Sequence, residues 1–266
     1  MNEPVCRRRC WPCSTGRLVT AARALVLALV VVMTAAGCGP TRQAPRPSRP
    51  TIADRVAQYG PSARARLLPF FAAAGVPYPP SRFLLLGLKQ ERELQLYAAG
   101  LAQELAFIRS FAILGASGGL GPKLREGDRQ VPEGVYRVVY LNPNSIAHLA
   151  LALGYPNEFD RANADEDGRE SAILGGDIMI HGGSSSIGCL AMGDQTAEDL
   201  FVLAADAGLE HGVVVVSPVD FRRTELPAQF DSPTPWTPRL YAWLRNKLAT
   251  LPLAPTPSAP VAAGAP

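Results

Sequence analysis

Cysteine is scarce in this chain of 266 residues: there are five, and only Cys38 and Cys189 lie beyond residue 13. A disulfide framework is therefore excluded as the means of holding the body together. Histidine is scarcer still, with His148, His181 and His211 the whole complement. A structural zinc site wants four Cys or His ligands, so no such metal centre is expected. Asp160, Asp165 and Asp167 lack the regular ligand spacing of a calcium loop. Charged residues make up only 18% of the chain against 47% apolar, which excludes a largely disordered protein. The formal charge of +3 is concentrated at the N-terminus, where Arg7, Arg8, Arg9, Arg17 and Arg23 face one acid, Glu3. Without residues 1–37 the 26 basic and 23 acidic side chains become 21 and 22, a balance near −1. No basic surface argues for a nucleic-acid partner.

What is present at the N-terminus is an arginine-bearing stretch followed by the uncharged apolar run Ala24 to Ala36. The run is short of the about 20 residues that span a bilayer and suits the core of an export signal. It closes on Ala35-Ala36-Gly37-Cys38, small residues before a cysteine, as in a lipoprotein processing box. Residues 1–37 are expected to be a signal peptide, and Cys38 a lipid-bearing residue that anchors a periplasmic protein to a membrane; Ala35 stands where such a box usually has Leu, and the alternatives are an ordinary signal-peptidase site near Gly37 or an uncleaved anchor. Cys10-Trp-Pro-Cys13 has thioredoxin-like spacing but no strand-helix unit around it, so it carries no redox reading. If Cys38 is lipidated, Cys189 is the one free thiol of the mature chain.

Composition divides the rest. Residues 38–50 combine the lipid-attachment cysteine with a Pro-rich linker, and 252–266 form an Ala/Pro-rich tail expected to be disordered. Between them, 51–79 read as a helical N-terminal segment, 80–220 as the main domain and 221–251 as a C-terminal helical extension. Helices are expected near Ile52–Gln58, Ser62–Ala74, Ala197–Ala205 and Thr237–Leu248. Asp194 or Thr196 is a candidate cap for the third of these. Strands are expected at Arg82–Lys89, Glu93–Ala98, Leu105–Leu114, Val135–Leu141, Ile146–Leu153, Gly176–Ile180 and Val213–Ser217. Asn142-Pro143-Asn144 reads as a turn, Gly115 to Gly134 as a long functional loop, and Tyr155 to Glu170 as a loop crowded with Asn and Asp. The fold class is mainly β with peripheral helices, or α+β if the flanking helices are counted.

The segment His181-Gly-Gly-Ser-Ser-Ser-Ile-Gly-Cys189 gathers what thiol acyl-transfer chemistry requires. A thiol attacks a carbonyl as thiolate and needs a base or a positive partner. His181, at a strand end, can be the base, and Gly182 and Gly183 let the chain fold it back towards Cys189. The amides of Gly188 and Cys189 can point at a developing oxyanion. Ser186 and its neighbours can orient the imidazole or a substrate, and the following helix can favour the thiolate through its dipole. His148, on an apolar alternating strand, and His211, in a loop, read as packed or rim histidines.

Ile180-His181-Gly182-Gly183, Ser186-Ile187-Gly188-Cys189, Met192, Gly121–Gly134 and Leu141–Ser145 together resemble the L,D-transpeptidase (YkuD-type) catalytic-domain family of bacterial cell-wall enzymes. The resemblance covers roughly residues 80–220. It implies an L,D-transpeptidase-type β-sandwich with a Cys nucleophile and a His base, no cofactor, and peptidoglycan stem peptides as partners. Val131 stands where a Thr is usual in the family's Thr-Pro-x-Gly turn region. Most members carry Ser/Thr-His-Gly-Cys; here Ile187 replaces that His, and the Arg often found after the cysteine is missing from Leu190-Ala191-Met192. The compact form is similar to a subgroup that includes a murein amidase, which releases a wall-linked lipoprotein from diaminopimelate.

The resemblance implies acyl transfer at the L-centre of diaminopimelate through a Cys189 thioester, with His181 as base. Lys123 and Arg125, in the charged loop, are candidates for contact with stem-peptide carboxylates, together with Gly182 and Gly183 at the site. The alternatives are hydrolysis of the diaminopimelate–protein link and, in another class, a non-catalytic wall-binding lipoprotein with a structural Cys189. A thiol-disulfide exchanger lacks a resolving cysteine.

Overall fold

The computed structural model describes residues 48–255. Residues 1–37, expected to be a signal peptide, and Cys38 lie outside them. Nine strands form one continuous ladder: β1 (Arg82–Leu88), β2 (Glu93–Ala99), β3 (Ala106–Ala112), β4 (Gly115–Ala116), β5 (Gly134–Ser145), β6 (His148–Leu153), β7 (Met179–His181), β8 (Leu190–Ala191) and β9 (Gly212–Ser217). Their spatial order is β3-β2-β1-β9-β5-β6-β7-β8-β4. The long strand β5 serves two sheets: Gly134–Arg137 pair with β9, and Val138–Ser145 pair with β6.

Alternation explains the continuous apolar runs. Along β1, Phe83 and Leu85 enter one core with Leu149, Leu151, Ile180 and Leu190. Leu84, Leu86 and Leu88 point the other way, onto the helix α4 (Thr237–Ala249) through Leu240, Leu244 and Leu248. The two sheets face each other across the first core, since a Cβ on Gly87 of β1 would stand 3.2 Å from the Leu190 side chain of β8. The fold is mainly β with peripheral helices.

The first helix differs from the expected pair. α1 runs unbroken from Ile52 to Ala73, through Pro61 and Pro69, behind a Thr51/Asp54 capping box. A proline inside a helix removes a backbone bond and costs about 3 kcal/mol in isolation. Tertiary contacts offset this: Ala63, Leu67 and Phe71 are buried. Arg64 forks onto Asp206 at 2.8 and 2.6 Å, and Arg66 reaches Asp199 at 2.7 Å, both on α3 (Asp194–Ala207).

Three further expectations are corrected. Asn142-Pro143-Asn144 lies within β5, whose pairing is irregular between Asn142 and Ser145, and the turn falls at Ile146-Ala147. A proline without an N–H fits such an irregularity. The Asn/Asp-rich stretch contains a helix, α2 (Glu158–Glu166), started by an Asn157/Asp160 capping box. Residues 252–255, expected to open a disordered tail, are held: Pro252 O accepts from Tyr97 Oη at 3.1 Å, and Ala254 is buried.

Asp160 is the buried member of the α2 cap. Burial pushes its carboxyl from 3.8 up to about 6, opposed by hydrogen bonds from Asn157 N–H and Tyr136 Oη and by the nearby Arg161 charge. A folded pKa above the unfolded one gives stability that is complete below pH 3.8 and is lost as pH rises through about 6. Asp160→Asn is therefore expected to remove a pH-dependent contribution of roughly 3 kcal/mol. The wild type's advantage over the variant in urea should shrink between pH 4 and 7; a constant gap would contradict this.

Candidate active site

His181 ends β7, and Cys189 stands immediately before β8. The two strands are parallel, pairing Ile180 with Leu190 and His181 with Ala191, and Met192 N–H donates to His181 O at 2.8 Å. Ile180 and Leu190 both enter the core, so their chain neighbours His181 and Cys189 are turned to the opposite side. Eight positions apart in sequence, they lie at the end of one strand and just before the next.

The loop between them is shaped by glycine and by Asp194. A Cβ on Gly182 would lie 2.6 Å from Asp194 Oδ1 and 2.7 Å from Ala147 O, so no larger residue fits. Gly183 adopts φ +66°, open to glycine at no cost. Its N–H donates to Asp194 Oδ1 at 2.8 Å, and its carbonyl accepts from Gly193 N–H at 2.8 Å. Asp194 thus ties the loop down instead of capping α3, whose N-cap is Gly193 with no side-chain bond.

His181 is buried, and its Nδ1 lies 2.6 Å from Gly182 O. A carbonyl only accepts, so this contact assigns the ring proton to Nδ1 and leaves Nε2 as the basic atom. Sequence reasoning named no third member; the structure supplies a backbone carbonyl in the orienting position.

Cys189 is half-buried, and its thiol contacts Asp177 O at 3.7 Å, not His181. Burial pushes the thiol above its usual 9.0, and the Asp177 charge adds to this; a hydrogen bond from the Met179 backbone and the Lys123 charge act in the opposite direction. These surroundings favour the protonated thiol over the thiolate expected from the helix dipole. Catalytic contacts in unliganded sites are often long and tighten on binding. Asp177 is an exposed residue at φ +54°. Asn tolerates that backbone well. Asp177→Asn should therefore remove the like charge and raise the iodoacetamide alkylation rate of Cys189 a few-fold at pH 8. The wild-type rate should keep climbing above pH 9, and a plateau below pH 8 would contradict the assigned surroundings.

The amides expected to form an oxyanion hole are both engaged. Gly188 N–H donates to Ser117 Oγ at 2.6 Å, and Cys189 N–H donates to Ser186 Oγ at 2.9 Å. Ser186 Oγ–H in turn donates to Cys189 O at 2.6 Å, which pins the backbone at Cys189. For either amide to meet a substrate oxygen, a serine hydroxyl must first give way.

Lys123 is not a solvated loop residue. It is buried and donates to Asp128 Oδ1 at 2.6 Å and Arg125 O at 2.7 Å. Burial opposes ionisation of Asp128, yet Lys123 and the amides of Gln130, Arg125 and Leu124 hold its carboxyl below the usual range. Arg125 is exposed and lines a cleft of about 540 Å³ with Gly121, Gln130 and Ile173. Gln130 O also approaches Gly188, 3.4 Å from where a Cβ would stand, so this cleft adjoins the thiol's loop. A larger cleft of about 860 Å³ flanks β5 and contains neither Cys189 nor His181; it shares only Asp177 with the thiol's surroundings. His148 pairs with Glu198 at 3.1 Å and packs edge-on against Tyr59, while His211 is exposed beside Glu210. Among the described residues no three His, Cys, Asp or Glu side chains gather as a metal site.

The domain is mainly β, with a histidine ending one strand and a cysteine immediately before the parallel neighbour. Residues 88–219 match the YkuD family model, the L,D-transpeptidase catalytic domain, and this region of the chain belongs to that family. A curated protein of Escherichia coli (strain K12), named "Putative L,D-transpeptidase YafK", is 40% identical over 141 residues, covering 52% of this chain and 53% of the relative. The chain thus spans about half the length of the curated relative it matches. Among solved structures, the helical cell shape determining protein Pgp2 of Campylobacter jejuni is 22% identical with a TM-score of 0.38, over 52% of this chain and 48% of that one. L,D-transpeptidase 1 of Mycobacterium tuberculosis is 14% identical with a TM-score of 0.30, over 51% and 62%.

Proposed function

We propose that this protein is a peptidoglycan-modifying cysteine acyl-transfer enzyme, with Cys189 as nucleophile and His181 as base. The observation that supports the reading is the β7–β8 register, which has His181 ending one strand and Cys189 immediately before its parallel neighbour, while the Gly182 O contact favours the tautomer with Nε2 basic. His181 Nε2 takes the thiol proton as Sγ attacks the amide carbon following the L-centre of diaminopimelate. The tetrahedral intermediate collapses, the C–N bond breaks, and the imidazolium returns the proton to the leaving amine. The resulting thioester is released by an acceptor amine, which is transpeptidation, or by water, which is hydrolysis. Surroundings that favour the protonated thiol fit this order of events, since the base acts at the moment of attack. Arg125, which lines the cleft beside Gln130, is the candidate partner for a stem-peptide carboxylate.

The export segment 1–37 and a lipid on Cys38 would hold this domain on the wall side of a membrane. Labelling with a radioactive fatty acid tests that part, and no label on the wild-type chain would sink it.

The chemical reading is tested by incubating the protein with defined tetrapeptide muropeptides and identifying products by mass spectrometry. Dimers joined 3→3, or exchanged terminal D-amino acids, are expected. With muropeptides that carry a peptide linked to diaminopimelate, release of that peptide without exchange would move the assignment to the amidase. No product of either kind would leave only the wall-binding reading.

A further inference from the structure

We infer that Ser117 is a catalytic hydrogen-bond donor, its hydroxyl being the group that meets the oxyanion formed during attack by Cys189. This rests on the acyl-transfer reading above and adds a residue 71 positions away in sequence from the Gly188 it contacts.

Tetrahedral oxyanions need preorganised donors beside the nucleophile. The two nearest in the chain are spent. Cys189 N–H is given to Ser186 Oγ, and the Ser186 proton is given to Cys189 O, so that serine is used as both acceptor and donor. Gly188 N–H is given to Ser117 Oγ at 2.6 Å. Ser117 is different from Ser186: it accepts from the amide next to the nucleophile, while its own proton goes to no group among the described residues.

An amide N–H donating into a hydroxyl oxygen polarises the O–H and makes it a better donor. The short chain Gly188 N–H···Ser117 Oγ–H therefore passes the amide's pull one atom outward, to where a substrate oxygen can accept it. Ser117 is half-exposed, immediately after β4 (Gly115–Ala116), and β4 is held on β8 through the Gly115–Ala191 and Ala116–Leu190 pairs. The serine and the nucleophile thus leave the ends of one paired ladder. In the acylation step the Sγ–C bond forms and the carbonyl π pair moves onto oxygen. The Ser117 hydroxyl donates to that oxygen without losing its proton. Collapse then expels the leaving group, protonated by His181.

Two reagents separate this role from a structural one. p-Nitrophenyl acetate acylates a thiol through a tetrahedral oxyanion, whereas iodoacetamide alkylates it by direct displacement and forms none. Ser117→Ala is expected to slow acylation of Cys189 by p-nitrophenyl acetate by at least about tenfold. It should leave iodoacetamide alkylation within about twofold, because thiol access and ionisation are untouched. Ser117→Thr, which keeps the hydroxyl, should restore most of the acylation rate. The inference is overturned if Ser117→Ala acylates as fast as or faster than wild type, since the serine would then merely cover the Gly188 amide. It is also overturned if both reactions slow in parallel, or if threonine is no better than alanine. Neither reagent involves peptidoglycan, so failure of the muropeptide assay and failure here are separate results.

Discussion

Cys189→Ala is expected to lower acyl transfer by about 10⁴-fold or more while leaving the fold intact. The thiol sulfur is the only heavy atom lost, and its hydrogen-bond contacts are with backbone alone, a long one of 3.7 Å to Asp177 O and one with Met179. The backbone on either side is held by bonds that alanine retains: Cys189 N–H to Ser186 Oγ and Ser186 Oγ–H to Cys189 O. Leu190, next in the chain, stays in its core position opposite Ile180. The melting temperature should therefore stay within about 2 °C of wild type. Cys189→Ser is expected to be nearly as inactive, because a hydroxyl of ordinary acidity is far weaker as a nucleophile under one histidine base. Turnover measured with a purified acyl donor, alongside a thermal melt, checks both halves. Full activity in the alanine variant would reduce Cys189 to a packing residue.

Lys89→Met is expected to cost about 3–5 kcal/mol of stability, the largest effect of a single replacement away from the thiol. Lys89 Nζ is sealed under the Gly115–Gly134 region, 2.9 Å from Glu133 Oε1 and 3.0 Å from both Gly121 O and Val131 O. Glu133 also accepts from Gly121 N–H at 2.8 Å and from Tyr241 Oη at 2.7 Å. Burial drives the Lys89 pKa down, and the Glu133 charge resists it. Methionine fills the space but leaves Glu133 with a charge that has no cation, in a place that water does not reach. Tyr241→Phe removes one hydrogen bond to the same carboxylate and should cost less, roughly 1.5–3 kcal/mol. Urea unfolding orders the two variants; a loss below about 1 kcal/mol for Lys89→Met would contradict a buried, mutually dependent pair. The pair clips the loop that carries Lys123 and Gln130 past Cys189, so the variant should also alkylate at an altered rate.

The ease with which different parts were legible follows from the range over which each is determined. The strands β1, β2 and β9 stood out because both faces are buried, which writes an unbroken apolar run into the sequence. Cys189 and His181 stood out because the chain offers so few other thiols and imidazoles, and because glycines surround them. The helix α2 was hidden by its polar composition, although Asn157-Glu-Phe-Asp160 carries the spacing of a capping box and was the signal available. Pro61 reads locally as a helix break, and only the distant partners Asp199 and Asp206 show why α1 continues through it. The same holds for Ser117 and for Lys89 with Glu133. Each is an ordinary residue in its own neighbourhood and takes its meaning from a contact made across the sheet.

Intact-protein mass spectrometry during turnover of a defined tetrapeptide muropeptide tests the central claim most directly. The account predicts a transient adduct with the mass of the donor acyl group, mapped by digestion to Cys189 and absent from Cys189→Ala. In a His181→Ala variant the adduct should form much more slowly. Product formation with no adduct on Cys189, or an adduct carried by another residue, would contradict it.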